Sequence, residues 1–154
     1  MRPSDSSNAP VILVTGAARR VGAAIARELH LAGARVALHY RNSADAAERL
    51  AVELNAVRAD SAFTVGGDLG QFGVAEEVAH AALARFGRID GLINNASSFF
   101  PTPLGHIDRA AWDDLIGSNL MGPLFLSQAL AASIRRERGA IVNIIDIHAE
   151  RPLP

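Results

Sequence analysis

The sequence predicts an α/β fold, a Rossmann-like doubly wound parallel sheet truncated after its fifth strand, and three observations predict it. Short apolar runs alternate with stretches of helical period from Val11 to Ile147. Those runs are continuously apolar, as strands become when both of their faces are covered. The first run, VILV, passes through Thr15-Gly16 into a small-residue loop ending at Gly22, and a helical pattern starts at Val21. That strand, turn and helix start can present backbone N–H groups and a helix dipole to a phosphate.

Each element follows from local pattern. In the first helix Val21, Ile25 and Leu29 recur at steps of four, and Gly33 is its C-cap. Ala34 to His39 (ARVALH) reads as the second strand, and Ser43 as N-cap of a helix through Leu50 and Leu54. Ser61 to Val65 is the third strand, ending in Gly66-Gly67-Asp68-Leu69-Gly70. A third helix, about Phe72 to Phe86, closes at Gly87. Ile89 to Asn94 is the fourth strand, and Asn95 to Ile107 a loop with Pro101 and Pro103. One amphipathic helix is expected from Arg109 to Arg138, with Trp112, Leu115, Ile116, Leu120, Leu124, Phe125 and Leu130 on it. Pro123 either kinks that helix or opens a second piece. Ala140 to Ile147 is the fifth strand. The polar, Pro/Ser-rich residues 1–10 read as a flexible tail, leaving residues 11–154 as the domain.

Composition narrows the function. A net charge of −1 gives no bulk attraction to nucleic acid or anionic membrane. There is no cysteine, hence no disulfide framework and no thiolate metal site. No apolar run approaches the ~20 residues of a membrane span, and the N-terminus has no signal-peptide core. A cytoplasmic protein with neither nucleic-acid, membrane nor metal partner is expected. All 15 Lys+Arg residues are arginine, and Tyr40 is the one tyrosine. A mechanism that needs a lysine, or a tyrosine elsewhere, is incomplete within these residues.

Right-handed crossovers gather the loops at the strands' C-terminal ends along one edge, where ligands bind. Gly16 allows the sharp turn, and Gly22 lets the helix approach sheet or ligand without a Cβ. Where an NAD-preferring fold places an acid after the second strand, this chain has His39-Tyr40-Arg41-Asn42-Ser43. Arg41 pairs with a 2′-phosphate, the Ser43 hydroxyl and helix-start N–H add donors, and Arg19 and Arg20 make the pocket cationic. The reading is NADP(H) over NAD. Asp68 either accepts from an adenine amino group or caps the next helix. Asn94-Asn95-Ala96 either braces neighbouring strands beside a cofactor or marks a plain turn. Phe99 and Phe100 either stack on a planar heterocycle or pack their loop, with packing favoured for Phe100. Asp146 is either a capped strand end or a site group with a proton to exchange.

Thr15-Gly16 with Gly22, Asp68-Leu69, Asn94-Asn95-Ala96 and Asn119 together resemble the short-chain dehydrogenase/reductase superfamily. TGAARRVG, HYRNS, NNASSFFPTPL and NIIDIHAERPLP are similar to its pteridine reductase branch. The resemblance implies that Gly16, Arg19, Arg20, Val21 and Gly22 contact the cofactor, with Arg20 also reaching the pterin. It implies Tyr40, Arg41, Asn42 and Ser43 around the 2′-phosphate, Asp68 and Leu69 on the adenine, and Asn95, Ala96 and Ser97 along the cofactor. Phe99, with Ser97, would hold the pterin; Asn119 would support the proton relay, and Asp146 would stand on the proton-donating side. The implied activity is NADPH-dependent hydride transfer to a C=N bond of a pterin or dihydrofolate, in a homotetramer. The family's tyrosine-x-x-x-lysine, expected beyond the fifth strand, is absent, so the chain is expected to be the N-terminal part of such an enzyme and inactive alone.

Overall fold

The computed structural model describes residues 9–146. In chain order it contains β1 (Val11–Val14), α1 (Arg20–Leu31), β2 (Arg35–Tyr40), α2 (Ala44–Val57), β3 (Ala62–Gly66), α3 (Val74–Phe86) and β4 (Gly91–Asn94). Then come α4 (Arg109–Ile116), a π-helical turn (Gly117–Met121), α5 (Gly122–Arg136) and β5 (Ala140–Asn143). The strands form one sheet in the order β3-β2-β1-β4-β5. All four pairings are parallel, with Leu13 opposite Ala37 on one side and Leu92 on the other. The chain winds outward from β1 to β3, then returns to place β4 against β1's other edge. A crevice opens at that reversal.

Continuous apolar strands produce a core on each face. Val11, Leu13, Ala37 and Leu92 pack with α3 and α5 residues, among them Val78, Ala82, Leu126 and Leu130. Val14, Val36 and Leu38 pack on the opposite face with Ala23 and Ala26 of α1 and Leu50 and Leu54 of α2. The period of two along β1 and β2 is intact; both sets of side chains are buried. Gly33 follows α1 at φ 101° and Gly87 caps α3 at φ 76°, a left-handed geometry that glycine adopts without Cβ strain.

Three expectations about these elements need correction. The helical run ends at Arg136 and is two helices joined by the π-helical turn; Pro123 stands in the first turn of α5, so of its two readings the one in which it opens a second piece holds. The joint lies against the loop after β3: a Cβ on Gly117 would fall 2.9 Å from the Gly70 Cα, and one on Gly122 2.8 Å from the Leu69 Cβ. Of the apolar residues expected on this helix only Leu130 is buried; Trp112, Ile116, Leu120 and Leu124 are exposed. The helical run does contain an 18-residue window of mean hydropathy 1.3, long and apolar enough by composition to cross a membrane, while Leu126, Leu130 and Ile134 pack into the protein core. Helix α3 starts at Val74 with Gly73 as N-cap, leaving Phe72 exposed. Strand β5 is four residues long and exposed throughout; among the described residues it is an edge strand that pairs with β4 alone. Residues 1–8 and 147–154 lie outside the described residues, and with them most of the expected tail and the end of the fifth strand.

Candidate functional site

The crevice is a cleft of about 560 Å³ at the C-terminal ends of the strands. Its wall brings together Gly16, Arg19, Arg20, Val21, Gly22, Tyr40, Arg41, Asn42, Ser43, Asp68, Leu69, Asn95, Ala96 and Ser97. These loops are far apart in sequence and meet because parallel strands all end at the same edge.

Thr15 fastens the first loop to the fourth. Its hydroxyl donates to the Ile93 carbonyl at 3.4 Å and accepts the N–H groups of Asn95 and Ala96, both at 2.9 Å. The Asn95 amide donates to the Thr15 and Gly16 carbonyls at 2.9 and 3.3 Å. The Asn94 amide donates to Asn143 Oδ1 at 2.8 Å, tying β4 to β5. Of the two readings of this asparagine run, bracing is the one the geometry shows. Gly16 sits at φ 62°, and a Cβ on Gly22 would lie 2.2 Å from the Gly16 carbonyl oxygen, so the turn closes directly onto the helix start. Arg20 opens α1 at φ 52°, a left-handed conformation that costs a non-glycine residue about 1 kcal/mol or more.

His39 forms part of the cleft wall and is fully buried, a role the local sequence did not disclose. Its Nδ1 accepts the Gly16 N–H at 3.3 Å, and its Nε2 lies 2.9 Å from the Gly67 carbonyl. A carbonyl only accepts, so Nε2 carries the proton and the ring is neutral. Burial holds its pKa below the usual histidine value, against opposing effects of the Gly67 carbonyl and Asp68. The available signal was a histidine directly after the apolar run Val36 to Leu38.

The cationic side is less positive than its arginines suggest. Arg41 Nη1 donates to Asp114 at 2.9 Å, and its Nε lies 3.4 Å from Asp68. Those contacts raise the Arg41 pKa, the Asp114 hydrogen bond first. A hydrogen bond from Ser98 and then Arg41 hold the Asp114 carboxyl below its ordinary value. The other Asp68 oxygen accepts the Gly70 N–H at 3.0 Å. With Gly73 capping α3, the helix-cap reading of Asp68 fails. Ser43 is the N-cap residue of α2, but its hydroxyl makes no capping bond to the helix. A smaller recess of about 110 Å³, lined by Arg19, Asn42, Ser43 and the first residues of α2, adjoins the cleft there.

Three candidates stand outside the cleft wall. Asn119 lies in the π-helical turn and grips the Ser98 backbone, accepting its N–H at 3.1 Å and donating to its carbonyl at 2.8 Å. Phe99 is 71% exposed on the following loop and Phe100 37%. Asp146 is exposed three residues past β5. Sequence reasoning also passed over Gly70, Ser98 and Ser118, which line the cleft, and Asp114, which reaches it through Arg41.

This donor set suits a dinucleotide. The glycine approach leaves no room for a side chain between turn and helix, and Arg19, Arg20 and Arg41 line a cleft large enough for a nucleotide. Comparison with known proteins agrees. The chain is 39% identical over 186 residues to pteridine reductase 1 of Leishmania tarentolae, covering 96% of this chain and 64% of that protein. It is 34% identical over 136 residues to a 3-oxoacyl-acyl-carrier-protein reductase of Staphylococcus epidermidis, covering 88% and 55%, and 32% identical to one of Staphylococcus aureus over the same shares. The chain thus spans between about half and two thirds of the length of these relatives. The family pattern described as short chain dehydrogenase matches residues 10–154. By its sheet order, its turn and this match over nearly all its residues, the chain belongs to the short chain dehydrogenase family.

Proposed function

We propose that the cleft binds NADP(H), and that the chain carries the cofactor-binding part of an NADPH-dependent short-chain reductase acting on a pterin or dihydrofolate. The observation that carries the cofactor choice is Arg41 at the end of β2, in the cleft wall, where a NAD-selective site would present a carboxylate. The Ser43 hydroxyl, unused by its helix, and the first N–H groups of α2 add donors for the same phosphate. The α1 N-terminus with Arg19 and Arg20 would hold the phosphates joining the two nucleotides, and Asp68 and Leu69 would border the adenine.

When bound, the reduced nicotinamide supplies the hydride for a C=N bond of the pteridine. Arg20, Ser97 and Phe99 would orient the substrate, Asp146 would stand at its proton-donating side, and Asn119 would keep the Ser98 segment in register. The identity to pteridine reductase 1 supports this substrate class. Cytoplasmic location and a homotetramer belong to the same proposal; Trp112, Ile116, Leu120 and Leu124, exposed at steps of four, support an intersubunit face on α4 and α5.

Arg41→Ala tests the cofactor assignment. A charge-assisted phosphate contact is worth about 1.5–3 kcal/mol, so the NADPH:NADH affinity ratio should fall at least roughly tenfold. An unchanged ratio removes the 2′-phosphate reading.

Two other readings have specific support. The 34% identity to a 3-oxoacyl-acyl-carrier-protein reductase favours a carbonyl substrate, which pterin-dependent oxidation of NADPH would rule out. The cleft by itself, with its glycine turn and arginines, would equally serve a noncatalytic NADP-binding module. Turnover of NADPH with biopterin or dihydrofolate by this chain excludes that module; tight binding without turnover supports it.

A further inference from the structure

Arg41 ties together two elements beside the cleft. Its Nε faces Asp68 on the loop after β3, and its Nη1 donates to Asp114 on α4, 73 residues away in sequence. The three side chains remain 30–44% exposed, so a soluble ligand can reach them. Two carboxylates around one guanidinium leave the cluster with a net negative charge, where the proposed ligand would bring a phosphate dianion. The Asp114 side chain is 31% exposed, so water reaches its carboxylate as well. Losing Arg41 would therefore not strand an unpaired carboxylate. Asp68 is anchored separately by the Gly70 N–H at 3.0 Å.

We propose that Arg41 and Asp114 form a latch at the edge of the cleft, which a 2′-phosphate opens by taking the guanidinium from Asp114, and that Asp114 is thereby a specificity-determining residue. The latch rests on the NADP(H) reading of this site. It works against the phosphorylated cofactor: Asp114 competes for the donors that the phosphate needs and adds a like charge beside it. A cofactor with a free 2′-hydroxyl carries no such charge and leaves the pair closed. Asp114 is consequently a restraint on the cofactor preference that Arg41 confers.

Titration calorimetry of the 154-residue chain with NADP and with NAD, for wild type, Asp114→Asn and Arg41→Ala, tests this. Asp114→Asn keeps the side-chain shape while removing the charge. It should tighten NADP at least threefold and change NAD less than twofold, raising the preference ratio. A ratio that is unchanged in Asp114→Asn, or that falls, overturns the latch; a fall would make Asp114 a residue that aims Arg41 at the phosphate. Arg41→Ala separates the two levels of the argument. If it lowers the ratio while Asp114→Asn leaves it unchanged, the latch alone fails. If Arg41→Ala leaves the ratio unchanged, or wild type binds neither cofactor, the cofactor reading fails and the latch with it.

Discussion

Thr15 shows how much one hydroxyl can hold. Replacing it by valine preserves shape but leaves the N–H groups of Asn95 and Ala96 without their acceptor. Each buried unsatisfied group costs about 1–3 kcal/mol, so Thr15→Val should lose about 2 kcal/mol or more in urea unfolding, and Thr15→Ser much less. Equal stability of Thr15→Val and wild type would show that water replaces the hydroxyl. Two histidines set a pH dependence. Burial lowers the pKa of His39 and of His30; nearby Arg58 adds to the effect at His30, and Asp68 opposes it at His39. The unfolded chain, with histidine near about 6.5, then takes up these protons before the folded one does. Stability is complete above that value and is lost as pH falls through the depressed folded pKa values. Unfolding free energy should drop between pH 7.5 and 5, and His39→Gln should flatten the profile. A wild-type profile that is flat or rises on acidification would contradict the neutral assignment.

At the scale of elements, the turn from β1 into α1 is the most tightly determined. Gly22→Ala would push a methyl to 2.2 Å from the Gly16 carbonyl. Overpacking of this kind costs about 1–3 kcal/mol, so the variant should melt earlier and bind NADPH weakly; calorimetry that finds neither would disprove the close approach. This turn was legible in the sequence because its cause is local: an apolar run, two glycines and a helical period. The break between α4 and α5 was signalled only by Pro123, which stands in the first turn of α5. Trp112, Ile116, Leu120 and Leu124 keep steps of four straight through the π-helical turn, so the period gives no sign of it. What distinguishes that joint is the contact of Gly117 with Gly70 and of Gly122 with Leu69, which depends on tertiary packing. The amphipathic face misled for a related reason: an exposed apolar stripe and a buried one have the same spacing. In the cleft, Arg41 was legible as a cation at the right loop. Asp68 was legible as a site residue too, but its pairing with Arg41, and Asp114 altogether, were not, because only the fold brings these elements near.

Over the whole molecule, two cores cover both faces of the inner strands, whereas β5 leaves apolar side chains in the open. Val142, Ile144 and Ile145 are 44%, 47% and 74% exposed beside a strand edge that is unpaired among the described residues. Such an edge templates association. The 154-residue chain should scatter light increasingly with concentration, and Val142→Lys with Ile145→Lys should reduce that scattering. A monodisperse wild-type monomer with a cooperative melt would refute the expectation. The ties among Thr15, Asn95, Gly16 and His39 have a kinetic consequence. They hold the backbone of this part of the cleft wall in one arrangement before any ligand arrives. On that wall a nucleotide meets preset amides and gives up little ordering entropy. The remaining adjustment is rotation of exposed arginine side chains, a picosecond-to-nanosecond motion. Capture by this cleft is therefore governed by encounter and by exchange of charge partners, with no wait for a loop to fold.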